Sequence, residues 1–408
     1  MRDLKALFYL FIPVYYIYVA SLDILIAKRS AITLIIGGIA SIFVTLIVIL
    51  RPEGLKYYKI AGYFLLYLFI LIAFSSDRFI SSKIYLGVYI PIMMLFAGYS
   101  IVKNFDEFKK LNRSIIILMI FYLINLTVFN LFNLGKPVYT KENIWLTGNA
   151  FAEGLNSMAY ALILVPYFIQ NSKDNKNKIK IYFGAAVIII TIVITMKRIS
   201  IVAVIAGYLV YLLMTGNKKK NIRIMVAIGS LMILAYPLYK DKLQKQYEAR
   251  IDRFDTKFIE SEARYIETQN IWEEVFSFKN PIKSLFGQEI FNSKGKYSRV
   301  VNKERLIHVD YNLVLHGAGI VGLILFLLLH LRFIVVFYRL KNILKNIYYH
   351  DCNIESLLGI YISFVVMSLV ISFSGGMNSV VFNSVKYVYL GAISSILVTK
   401  IKEYYCRQ

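Results

Sequence analysis

The chain has 408 residues, 58% of them hydrophobic and only 17% charged, with a mean hydropathy of +0.61. That is more apolar surface than one soluble core can hide, so the composition excludes an ordinary water-soluble domain and makes the bilayer the solvent. The formal net charge of +23 would suit nucleic acid, but Lys and Arg fall in short clusters between long apolar runs and not on one basic face, which excludes that partner; Cys352 and Cys406, far apart, offer neither a disulfide framework nor a metal site.

A hydrocarbon core of about 30 Å needs about 20 apolar residues in a helix. In chain order such segments run Lys5–Ala27, Ala31–Leu50, Tyr57–Phe74, Phe79–Val102, Ile115–Leu134, Ala150–Ile169, Ile179–Met196, Ile199–Thr215, Ile222–Tyr239, Tyr311–Phe337, Leu357–Phe373 and Val380–Thr399. The first is long enough to span and lacks a small-residue cleavage pattern, so it reads as a transmembrane helix and not as a leader. Because the runs are continuously apolar and do not alternate with period two, helices are expected and a barrel is not. The fold class predicted is an all-α polytopic membrane protein of about twelve transmembrane helices.

Orientation follows from Lys and Arg in alternate short loops. With the N-terminus inside, the cytoplasmic loops carry about 24 and the opposite ones about 9, which places both termini in the cytoplasm. One connection breaks the pattern of short loops. Lys240 to Asp310 leaves the membrane for about 70 residues on the extracytoplasmic side, between helices 9 and 10, with 14 basic and 12 acidic residues. The chain thus divides into helices 1–9 (1–239), this loop (240–310) and helices 10–12 (311–408), all one membrane domain. Within the loop, Tyr265, Thr268, Trp272, Val275 and Phe276 recur at helical spacing, predicting a surface helix that ends near Asn280-Pro281 with that stripe against the membrane or the bundle.

Polar side chains at membrane depth are costly and are therefore functional candidates unless they reach an interface or bond a neighbouring helix. Asp23, Asn125, Asn130, Asn149, Glu153, Asn156, Lys197, Arg198, Asn383 and Lys386 all fall in or near the outer halves of their spans, as a cavity open to the outer leaflet would produce. Lys197 and Arg198 separate two spans with almost no loop, on the face where positive charge is disfavoured. They read either as a tight turn reaching lipid phosphates or as an anion site for a diphosphate. Downstream, His308-Val309-Asp310-Tyr311-Asn312 opens a helix containing His316, Gly317, Gly319 and Gly322. Asp310 reads as a natural N-cap, and the glycines as close-packing positions.

In this respect the sequence resembles the O-antigen polymerase/ligase family. The motif HVDYNLVLHGAGIVGL, His308 to Leu323, is similar to the family's His-containing entry into a helix with spaced glycines. EARYIETQNIW resembles its loop Arg followed by an aromatic and places Arg264 in that role. NPIKSLFGQE resembles its proline-to-glycine stretch, ITMKRISIV places Arg198 at its short-loop Arg, and NAFAEGLNSMA resembles an Asn-containing helix through Asn149 or Asn156. Two departures are visible: the loop glycine pattern is reduced to Gly287, and Val309 stands where an Asn would follow the His.

The resemblance implies a glycosyltransferase with an undecaprenyl-diphosphate-linked oligosaccharide donor, acting at the outer face of a bacterial cytoplasmic membrane to build O-antigen or capsular polysaccharide. Partners then include membrane lipid, a chain-length regulator and a flippase. Negative charge growing on the departing diphosphate would be stabilised by Arg198 and Arg264, with Lys197 in support. The acceptor hydroxyl needs a proton acceptor, with His308 first and Asp310 or Glu153 as alternatives. Asn156, Asn149, Tyr311 and Asn312 are assigned to glycan contact or structure. No DxD motif or His/Cys cluster faces outward, so no metal and no cofactor is expected. Polymerase is favoured on base rate. A ligase using the same donor and a lipid-linked oligosaccharide flippase are the alternatives; against the latter stands the absence of two similar halves.

Overall fold

The computed structural model describes residues 2–25, 31–131, 151–172, 174–194, 198–216, 218–248, 263–287, 294–295, 305–348, 351–377 and 379–406. In order the helices are α1 (Arg2–Leu25), α2 (Ala31–Leu50), α3 (Glu53–Tyr57), α4 (Lys59–Ala73), α5 (Arg78–Ile101), α6 (Phe105–Leu131), α7 (Phe151–Ile163), α8 (Val165–Asn171), α9 (Asn175–Ile194), α10 (Arg198–Met214), α11 (Lys218–Glu248), α12 (Ala263–Phe276), α13 (Pro281–Phe286), α14 (Asp310–Ile347), α15 (Cys352–Ser372) and α16 (Val380–Tyr405). The described strands are β1 (Lys294–Gly295) and β2 (Arg305–Leu306), an antiparallel pair with Lys294 opposite Leu306. Among the described residues, four helices are long and apolar enough to cross a membrane: α14, α15, α16 and the Ser81–Ile101 part of α5. The protein is therefore an all-α membrane protein.

The described part of each apolar segment read from the sequence is largely helical, with informative differences in extent. The helix expected from Ile115 begins at Phe105, because the Asn104 side chain accepts from the Glu107 N–H at 2.9 Å and Asp106 and Glu107 complement the helix N-terminus. The segment Ala150–Ile169 divides into α7 and α8 at Leu164. Pro166 lacks the N–H that would bond the Leu162 carbonyl, and the Tyr208 hydroxyl of α10 donates to that carbonyl instead, at 2.8 Å.

The centre of the bundle is α16, whose apolar window is 94% buried, whereas that of α14 is only 39% buried and so belongs to the periphery. The most extensive contact is between α16 and α5. It is a small-residue packing of the kind that lets helix backbones approach in a bilayer: a Cβ on Gly391 would lie 2.1 Å from the Leu95 carbonyl oxygen, and one on Gly98 would lie 2.5 Å from that of Val388. Helices α10 and α15 meet similarly, with the Ser363 hydroxyl donating to the Gly207 carbonyl at 2.8 Å.

The packing predicts a contrast between two glycines. Gly391→Ala should lower stability by about 3 kcal/mol, since backbone faces the new methyl group, whereas Gly184→Ala, with nothing within 4 Å of its Cβ position, should be neutral or slightly stabilising. Thermal unfolding of the two purified variants checks this, and equal midpoints would contradict it.

Candidate functional site

Three helix starts converge on one cavity. Arg198 opens α10, Arg264 is the second residue of α12, and Tyr311 and Asn312 follow the first residue of α14. Together with Tyr265, Thr268, Trp272 and Val309 they line a cavity of about 750 Å³. The rest of its lining is apolar, made by Ile199 and Val202 of α10, Leu323 and Leu327 of α14, and Phe373 at the end of α15. Among the described lining residues the only charged groups are the two arginines. The arrangement therefore combines a cationic polar side, aromatic faces and an aliphatic side.

Helix α12 reaches this position through a polar knot. Its buried residues are Glu267, Ile271 and Val275, spaced by one helical turn, while Tyr265, Trp272 and Phe276 are exposed. Of the stripe read from the sequence, Val275 is buried and Thr268 half-buried, while Tyr265 and Trp272 line the cavity. Glu267 is only 2% exposed, and its Oε1 accepts from the backbone N–H of His308 at 3.0 Å and of Val309 at 3.4 Å. Asn312 completes the knot, donating to Thr268 Oγ1 at 2.7 Å and accepting from Trp272 Nε1 at 3.3 Å. A buried carboxylate is tolerable only when its oxygens are hydrogen-bonded, so these bonds fix which face of α12 turns inward.

The following turn, α13, seats on α14 through two glycines in the left-handed region. Gly287 has φ 93° and Gly319 φ 66°, and each lies where a Cβ would strike the other segment's backbone, at 2.4 Å from Gly317 and 2.3 Å from the Leu285 carbonyl oxygen. Gly319 also interrupts α14 with non-helical dihedrals. The reading of these glycines as close-packing positions holds here, and only glycine fits at both.

Asp310 is not the N-cap. Val309 occupies that position without a side-chain cap bond, and Asp310 Oδ1 instead accepts from the N–H groups of Gly376 at 2.9 Å and Met377 at 2.8 Å. Asn383 grips the same turn by donating to the Gly376 carbonyl at 2.7 Å and the Ser379 carbonyl at 2.8 Å. Gly375 in turn packs against the His308 carbonyl, leaving no room for a Cβ. The stretch from His308 to Asp310 is thus held by Glu267 on one side and by the 374–377 turn on the other.

Of the residues singled out in the sequence, Arg198, Arg264, Tyr311 and Asn312 meet at the cavity. His308 precedes the lining residue Val309 without itself lining the cavity; its Nδ1 is 3.9 Å from Glu267 Oε2 and its side chain is 40% exposed. Asp310 is buried beneath the cavity, sharing a void of about 10 Å³ with Asn383 and Lys386. Asn156, on α7, is buried and accepts from the Ser200 hydroxyl at 3.0 Å, which secures the first turn of α10 and with it Arg198. Lys197 and Asn149 lie outside the described residues, as do the side chains of Glu153, Asp23 and Asn130. Sequence reasoning missed Glu267, although a Glu continuing the Ile271, Val275 register on a helix is a detectable anomaly. Among the described residues no group of three or more His, Cys, Asp or Glu is placed to hold a metal ion.

No protein-family model and no curated protein matches this chain.

Removing the Asp310 carboxylate should loosen the turn it holds, because a hydrogen bond to a charged group contributes about 1.5–3 kcal/mol. In Asp310→Ala, amide exchange at Gly376 and Met377 should accelerate on the order of tenfold or more by mass spectrometry, while α5 and α16 keep their protection. Unchanged exchange at these two amides would show that the clamp is inconsequential.

Proposed function

We propose that this chain is a glycosyltransferase that polymerises undecaprenyl-diphosphate-linked oligosaccharide repeat units at the outer face of a bacterial cytoplasmic membrane. The observation that carries the reading is that Arg198 and Arg264, from distant parts of the chain, line one cavity together with the aliphatic Ile199, Val202, Leu323 and Leu327. Such a donor is itself divided in that way, with a diphosphate and glycan at one end and a polyprenyl chain at the other. The aromatic faces of Tyr265, Trp272 and Tyr311 suit sugar rings. In this reading about twelve helices cross the bilayer, both termini are cytoplasmic, and the loop from 240 to 310 is extracytoplasmic.

In the reaction proposed, the bond between the donor's anomeric carbon and the diphosphate oxygen breaks as the acceptor hydroxyl oxygen bonds to that carbon. The hydroxyl proton passes to His308, whose backbone is tied to Glu267, and the electron pair of the broken bond stays on the diphosphate. Charge therefore grows on the leaving group, and two fixed guanidiniums in a cavity with low-dielectric walls oppose it favourably. Arginine fits the task because it stays charged and pairs with phosphate bidentately.

Reconstitution of the pure protein with lipid-linked repeat units should give longer glycans, and Arg198→Ala or Arg264→Ala should each lower the rate by a factor on the order of 10²–10³. Translocation without transfer would replace the reading by a flippase, and single transfer to a lipid core without growth would replace it by a ligase. His308→Gln should cut turnover on the order of 10²-fold or more with donor affinity retained; full turnover would remove it as proton acceptor. Since arginines supply the charge stabilisation, activity should survive thorough chelation, and a loss restored by a divalent ion would contradict this.

A further inference from the structure

At the opposite end of the bundle lies a second cationic cavity. Its place follows from α16, which begins beside the Asp310 clamp and ends at Lys400 and Lys402; Lys402, Arg51, Glu53 and Glu107 all lie within electrostatic reach of Lys103. The cavity, of about 400 Å³, is formed between α1 and α6 and is lined by Lys5, Tyr9, Glu107, Lys110, Arg113 and Ser114. Three cations face one carboxylate, which Lys5 already engages, so the cavity carries an excess of positive charge.

Two further observations give the occupant its chemistry. The Tyr9 hydroxyl is buried with no hydrogen-bond partner among the described residues, whereas the nearby Ser114 hydroxyl is already donated to the Tyr9 carbonyl at 2.7 Å. A buried phenol without an acceptor is unfavourable, and a phosphate oxygen would supply one. On both helices the next turns are aliphatic and exposed: Leu7, Leu10 and Val14 on α1, and Ile116, Ile117 and Ile120 on α6. Cations beside exposed aliphatic helix faces are the surroundings of a phospholipid, with its phosphate among the cations and its acyl chains along those faces.

We propose that the α1–α6 cavity is a phosphate site occupied by the headgroup of an anionic phospholipid, bound by Lys110, Arg113 and the Tyr9 hydroxyl. The site is separate from the cavity of Arg198 and Arg264 and independent of the reaction assigned to it. Its occupant joins α1 to the rest of the bundle from the basic face.

Native mass spectrometry of the purified full chain, titrated with phosphatidylglycerol, tests this. Lys110→Gln/Arg113→Gln should weaken binding at least tenfold, and Tyr9→Phe severalfold. Lys218→Gln/Lys219→Gln removes equal charge from the first turn of α11 and should change it less than twofold. Equal losses in the two double variants, or none in either, would overturn the proposal. Inorganic phosphate at millimolar concentration should not displace the lipid; displacement would overturn the lipid assignment in favour of a soluble anion. If the double variant fails to fold, Lys110→Gln alone should still weaken binding at least threefold, and unaltered binding in it counts against the site.

Discussion

The position of Arg264 depends on how a largely polar helix is fastened to a membrane helix. Helix α12 buries only Ile271 and Val275 as apolar anchors, and two such side chains contribute roughly 3–6 kcal/mol in all before ordering entropy is subtracted. What chooses among ways of laying α12 down is Glu267. Its carboxylate finds backbone N–H donors only where the chain enters α14, at His308 and Val309, and any rotation or slip of α12 leaves it buried without them. The penalty for misplacement exceeds the gain from placement, so the interaction confers specificity more than strength. Gly287 and Gly319 fix the far end of the same segment by admitting a backbone approach that no other residue permits. Arg264 lies just before Glu267 on the same helix, so its place in the cavity lining follows from that anchor.

A set of buried polar groups ties α14, α15 and α16 together. Lys386 of α16 donates to Ser368 Oγ of α15 at 3.0 Å, and His330 of α14 lies 3.4 Å from the same hydroxyl through Nε2. The other ring nitrogen of His330 lies 3.0 Å from the Phe326 carbonyl, which can only accept, so Nδ1 carries hydrogen and Nε2 accepts from Ser368. The directions of the three bonds are therefore mutually consistent. In a bilayer there is no water to replace a lost partner, and each member of the chain makes the others affordable. Asp310 sits one void away, clamped to the 376–377 turn.

Much of this architecture was legible from the residues, and the reasons differ from part to part. Long apolar runs have essentially one solution in lipid, which is why Ala31–Leu50 and Val380–Thr399 read directly as helices. The cost of a charge at membrane depth marked Arg198 and Lys386 without revealing their partners, because Ser368 and the cavity wall come from helices remote in sequence. Local signals misled where a tertiary partner outcompeted a local one. Asp310 has the chemistry of an N-cap, yet two N–H groups of the 376–377 turn offer its carboxylate more than the first turn of α14 does. The stripe of α12 was legible from its spacing, but the burial of Glu267 beside Ile271 and Val275 was not, because its donors at His308 and Val309 lie 41 and 42 residues away. The break at Leu164 was signalled by Pro166, but its repair by the Tyr208 hydroxyl was not.

The two ends of the bundle treat positive charge differently, and that difference bears on what each can bind. At the basic end, Lys5 is engaged by Glu107, and Lys400 by Glu403 at 2.7 Å, so cations and carboxylates interleave. Such pairs near the surface are weak and exchangeable, suited to lipid headgroups present in excess. Around the larger cavity no carboxylate lines the wall among the described residues, and Arg198 and Arg264 stand over aliphatic side chains that lower the local dielectric. Under the proposed reading, a diphosphate brought there meets two cations beside a partly apolar lining, where Coulombic attraction is less screened than in bulk water. That attraction grows as a departing diphosphate gains charge, so under the proposed reaction the same arrangement binds the donor moderately and its transition state more strongly. An aliphatic wall without the arginines would hold only the prenyl chain, and arginines without the wall would be screened by water; the chemistry needs both on one cavity, and the docking of α12 by Glu267 is what brings them together.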